Sequence, residues 1–128
     1  MDNLVEKGKI MPSLDMKGPY TYSSAKIDEV VTQKSAGNYA LGYTKEDNTF
    51  IVQYVGRSDS NVNQELKVKL NGKYNKFKYS YSSSPKAAFE KECQNYHDFG
   101  AKEKLDNENH PDRPNDANWK CPVCDIFD

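Results

Sequence analysis

Residues 37–56, GNYALGYTKEDNTFIVQYVG, leave the chain few ways to fold. Tyr39, Leu41 and Tyr43 alternate with Asn38, Ala40 and Gly42, and Phe50, Val52 and Tyr54 alternate with Ile51, Gln53 and Val55. A period of two is that of a pleated strand, so two strands are predicted. The polar run Lys45-Glu46-Asp47-Asn48 supplies the turn, because Asp and Asn tolerate the backbone angles it requires. Each strand carries a tyrosine two positions from a glycine, in Gly37-Asn38-Tyr39 and Tyr54-Val55-Gly56. Such a pair is either an aromatic hairpin with ordinary turn glycines or a site built at a sheet edge.

The remaining elements follow from caps and periods. Residues 1–22 show no sustained period, and Pro12, Gly18 and Pro19 punctuate them, which predicts a loose N-terminal arm. Ser23 or Ser24 caps a helix over residues 25–34, whose Ile27, Val30 and Val31 form one apolar stripe. Asn61 caps a second helix with Val62, Leu66 and Leu70 on one side, ended by Asn71-Gly72. Residues 74–81 read as a third strand, with Phe77, Tyr79 and Tyr81 facing one way. Ser84 and Pro85 open a third helix that carries Phe89, Cys93, Tyr96 and His97 on its face. From residue 106 to 118 the chain is polar and proline-broken, and no internal repeat is visible. The expected fold is α+β, a small three-stranded antiparallel sheet flanked by helices over residues 23–100, with a cysteine-bearing tail over 101–128.

A chain of 128 residues supports one domain with one modest core. With 36% hydrophobic and 29% charged residues it is globular rather than disordered. A formal net charge of −1 excludes a global field drawing it onto nucleic acid. Lys67, Lys69, Lys73, Lys76, Lys78 and Lys86 nevertheless form a basic middle, read as a solvated face or as phosphate contacts. No apolar run is long enough to cross a bilayer and no signal peptide is evident, so no membrane partner and a cytoplasmic location are expected.

On its two tripeptides, the run Tyr54-Val55-Gly56-Arg57-Ser58-Asp59 and the order of elements, the chain resembles a GIY-YIG nuclease domain over about residues 25–100. The resemblance implies hydrolysis of a DNA phosphodiester with one divalent metal, Mg²⁺ being suited to a hard carboxylate oxygen. It implies that Tyr39 and Tyr54 flank the scissile phosphate, that Gly56 permits close approach of the backbone, and that a glutamate of the last helix holds the metal. Glu90, after Phe89 and before Cys93, is the expected ligand, with Glu92 the alternative. Two features depart from the family. The hairpin is a little long, and Gln64-Glu65-Leu66 occupies the place of an arginine followed by an apolar residue. Arg57 is the only other arginine nearby. The reading requires Tyr39, Tyr54, Arg57, Glu65 and Glu90 to converge on one cleft. Its alternative is a non-catalytic binding or interaction module that keeps the fold.

The tail carries Cys121-Pro122-Val123-Cys124, and Cys93 with His97 stand i, i+4 on one helix face. Together these four form a Cys₃His set suited to structural zinc, with His110 the substitute for the histidine. A redox pair at Cys121 and Cys124, or Cys93 and His97 as plain core residues, are the competing readings.

Overall fold

A computed structural model describes residues 13–128; the first twelve residues of the expected arm lie outside the described residues. The described elements are β1 (Lys17–Thr21), α1 (Ser24–Val30), β2 (Gly37–Thr44), β3 (Phe50–Ser58), α2 (Val62–Val68), β4 (Lys76–Tyr81), α3 (Pro85–Asp98) and α4 (Ala101–Lys104). Ser23, Asn61 and Ser84 cap the first three helices, each side chain accepting from an amide three residues on.

Among the described residues the sheet has four antiparallel strands, ordered β1-β4-β2-β3, where three were expected. The additional strand comes from the stretch read as a loose arm. Lys17, Tyr20 and Thr21 stand opposite Tyr79, Phe77 and Lys76, with an irregularity around Gly18 and Pro19. Pairing with a strand almost sixty positions away overrides the local loop signal of Gly and Pro.

The hairpin forms as its alternation predicts, with one change of phase. Leu41 stands opposite Tyr54 but Gly42 opposite Val52, so Gln53 is an extra residue, a β-bulge. Phe50 and Val52 therefore share a face with Val55, and Tyr54 lies on the other. One face of the sheet packs Tyr39, Leu41, Phe77 and Tyr79 against Ile27 of α1 and Val62 and Leu66 of α2. The opposite face packs Ala40 and Val55 against Tyr96 of α3 and Leu105. Buried Asn38 fastens β2 to α3, donating to the Ala88 carbonyl at 2.8 Å and accepting from the Ser82 hydroxyl at 2.8 Å.

The tail docks on the free edge of β3. The Asp106 amide donates to the Gln53 carbonyl at 2.6 Å. The buried Asn107 side chain accepts from the Val55 amide at 3.0 Å and donates to the Val55 carbonyl at 2.8 Å. Farther on, Cys121 packs with Phe89 and Cys93 of α3, ringed by Trp119, Cys124 and Phe127. Among the described residues no helix is long and apolar enough to cross a membrane.

Candidate functional site

At the β3 edge, side chains from both faces of the sheet meet in a cleft of about 290 Å³. Tyr39, Tyr54 and Glu65 of α2 enter from one side, and Arg57 and Glu92 of α3 from the other, with Gly56, Ser58 and Asp59 between them. The Tyr39 and Tyr54 rings stack at 6.3 Å and 21°. Gly56 is opposite Tyr39 in the ladder, and a Cβ on it would stand 2.3 Å from the Tyr39 hydroxyl. Glycine there is thus required by the tyrosine ring itself, as well as leaving the cleft floor bare.

Electrostatics divides the cleft into two halves. The Tyr39 hydroxyl donates to Glu65 at 3.2 Å. Burial above all, then the Glu65 charge, raises the Tyr39 phenol far above its ordinary range. Arg57 donates to Glu92 at 2.7 Å and to Asp59 at 2.8 Å, and its guanidinium lies over the Phe89 ring at 5.1 Å. Burial pushes the Glu92 carboxyl up to about 7, against the pull of Arg57.

A raised carboxyl favours folding while it is protonated. Its contribution is complete below the unfolded value and is lost as the pH rises through about 7. Chemical denaturation of the metal-free protein between pH 5 and 8 should show this decline, and Glu92→Gln, which cannot ionise, should flatten it. An equally steep decline in the variant would assign it to another group.

Tyr39, Tyr54, Gly56, Arg57 and Glu65 thus come together, and Glu90 does not. Its carboxylate is 43% exposed and 4.0 Å from Lys86, outside the residues lining the cleft. Two residues along α3 is a turn of about 200°. That rotation places Glu92 over β3, so the required convergence is not complete: Glu90, the expected ligand, stands outside, and Glu92, the alternative, lines the cleft.

A second cluster lies beside the first. One donor atom each from His97, His110, Cys121 and Cys124 falls within 4.8 Å of all the others, and these residues can hold a metal such as zinc. His97 Nε2 and His110 Nε2 are 3.2 Å apart, and Cys124 Sγ is 3.4 Å from His110 Nε2. Tetrahedral zinc with ordinary bond lengths separates two nitrogens by about 3.3 Å and a nitrogen from a sulfur by about 3.6 Å. The Val123 amide donates to Cys121 Sγ at 3.4 Å, and the Ile126 backbone bonds to Cys124. His110 Nδ1 lies 2.8 Å from the Pro111 carbonyl, so it carries the proton and leaves the Nε2 lone pair toward the cluster. Burial, and then His110, lower the His97 imidazole below its ordinary value, which favours the neutral form that ligates.

Cys93 falls outside this group, which corrects the Cys₃His expectation. It is fully buried beside Phe89 and Cys121, and burial pushes its thiol up. His110 was weighed as a replacement for His97; both histidines are present instead. Comparison of the chain with protein-family models, with curated proteins and with solved structures finds no match.

The two clusters share a wall. Residues 106–112, His110 included, line a hollow of about 420 Å³ together with Tyr54 and Glu92 of the cleft. Sequence spacing offered no signal for this wall, because its residues sit in a polar, proline-broken loop.

Proposed function

We propose that the protein is a GIY-YIG-like nucleic-acid-processing domain whose cleft hydrolyses a phosphodiester slowly with Mg²⁺, and whose tail is held by a structural zinc. The observation that carries the reading is the meeting of two stacked tyrosines, a side-chain-free glycine, an arginine and a buried glutamate in one cleft. Glu92 is the residue suited to hold Mg²⁺, which takes one or two carboxylates and keeps most of its waters. Tyr39 and Tyr54 would position the attacking water, and the bare floor at Gly56 admits the phosphate. Zinc at a four-ligand site leaves no open position, so its part is to fix the tail.

A second reading, a non-catalytic binding or interaction module that keeps the fold, draws support from Arg57. Its guanidinium is taken up by Asp59 and Glu92. Glu65 adds a negative charge where a phosphorane would develop one.

A plasmid-nicking assay separates the two. Under the first reading the purified chain nicks weakly with Mg²⁺, and Glu92→Gln abolishes the activity while Glu90→Gln leaves it unchanged. Vigorous nicking insensitive to Glu92→Gln and Arg57→Ala would place the active site elsewhere. DNA binding with no nicking at any Mg²⁺ concentration would favour the second reading.

A further inference from the structure

The cleft holds three carboxylates and one guanidinium, and two of the carboxylates already engage that guanidinium. A phosphodiester entering it would meet the unopposed charge of Glu65. The helix that presents Glu65 ends at Lys69, which caps it four residues later and so lies on the same side. The Lys69 ammonium lies 5.9 Å from the centre of the Tyr54 ring. Lys69, Tyr54, Leu41, Asn71 and Tyr74 line a hollow of about 200 Å³ that adjoins the cleft at Tyr54. The neighbouring lysines are occupied, Lys67 by Asp28 and Lys73 by Asp106, whereas Lys69 forms no ion pair among the described residues.

Resting on the nucleic-acid reading above, we propose that Lys69 binds a phosphate oxygen of the strand beside Tyr54 and supplies the positive charge that position 65 lacks. A lysine suits this place because its ammonium is a mobile point charge on a long stem, able to reach an oxygen without a fixed fork geometry. The arrangement also distinguishes the two tyrosines. Tyr39 faces a carboxylate, which holds its proton in place. Burial raises the Tyr54 phenol above its ordinary value, and the Lys69 ammonium opposes that rise. Other lysines of the basic middle differ in setting: Lys86 lies near Glu90 and Lys78 over the Phe50 ring, neither lining the hollow beside Tyr54.

The test is binding of a fluorescein-labelled single-stranded DNA oligonucleotide to the full chain, followed by anisotropy at several salt concentrations without added Mg²⁺. Lys69→Met should weaken binding about tenfold, as expected for loss of one charged contact, and lower the salt slope by about 0.7. Lys69→Arg should restore most of the affinity, and Lys67→Met should change it less than twofold. A second readout is the Tyr54 titration, seen by NMR of ring-labelled tyrosine and assigned with Tyr54→Phe. Lys69→Met should move it upward, as loss of the ammonium beside the ring requires. Absence of DNA binding by the unaltered chain overturns the nucleic-acid reading and this proposal with it. Binding that Lys69→Met weakens no more than Lys67→Met overturns the Lys69 assignment alone, as does a Tyr54 titration that stays in place.

Discussion

Cys124→Ser is expected to reduce bound zinc from one per chain to near zero and to release the tail from α3. Closed four-ligand zinc sites contribute on the order of 10 kcal/mol of binding free energy in small domains, so loss of one thiolate removes most of what fixes residues 105–128. The sheet and the residues packed on its two faces, Leu105 apart, come from segments that precede the tail. The variant should therefore keep its circular dichroism while becoming sensitive to limited proteolysis between residues 106 and 120. Elemental analysis of protein purified without chelator measures the metal directly. The ligand set is tested in the same experiment. His110→Ala should lose zinc as Cys124→Ser does, and Cys93→Ser should retain it, since Cys93 lies outside the four converging donors. Retention by His110→Ala with loss in Cys93→Ser would restore the Cys₃His arrangement of the sequence reading.

The largest gain in activity is expected from Glu65→Arg. The transition state of phosphodiester hydrolysis accumulates charge on the phosphoryl oxygens, and a single metal ion neutralises only part of it. Adding a cation and removing an anion at the same point should raise the nicking rate on the order of 10²-fold, the size of one preorganised electrostatic contact. The variant also frees the Tyr39 hydroxyl from its acceptor at 3.2 Å, opening it to water or substrate. Arg57→Ala discriminates between cations. If Arg57 serves the phosphate, its removal abolishes residual nicking. If its duty is to neutralise buried Glu92, the main effect is on stability, because a buried charge is left without its partner. A Glu65→Arg protein that folds and nicks no faster than the unaltered chain would refute the electrostatic account of the cleft.

Much of this arrangement was legible in the sequence where local periodicity and caps decide it. The hairpin and the three caps rest on short-range patterns, whereas the meeting of Tyr39 with Tyr54 was implied only by the resemblance. What escaped depends on distant partners. Residues 17–21 carry Gly18 and Pro19 and read as loop until β4 pairs with them. The bulge at Gln53 inserts one residue into a period of two, so Phe50 and Val52 change faces without any change in composition. Glu90 and Glu92 look alike in sequence, and burial against Arg57, thirty-five positions back, selects the second. His110 sits in a polar loop with no period to aim it. The one available signal was that two histidines and a C-x-x-C pair already complete a tetrahedral set without Cys93.

The dock of Asn107 on Val55 has a consequence for the chain in solution. Its side-chain amide imitates the peptide group of a neighbouring strand, satisfying one donor and one acceptor on the last strand of the sheet. When the tail lifts away, those groups and the Gln53 carbonyl become a template that the same strand of a second copy can match. Self-association would then follow the fraction of molecules with an undocked tail and rise with the square of their concentration. The cluster of His110, Cys121 and Cys124, downstream of Asn107, would in this way bear on how long this strand edge stays covered, quite apart from any chemistry in the cleft.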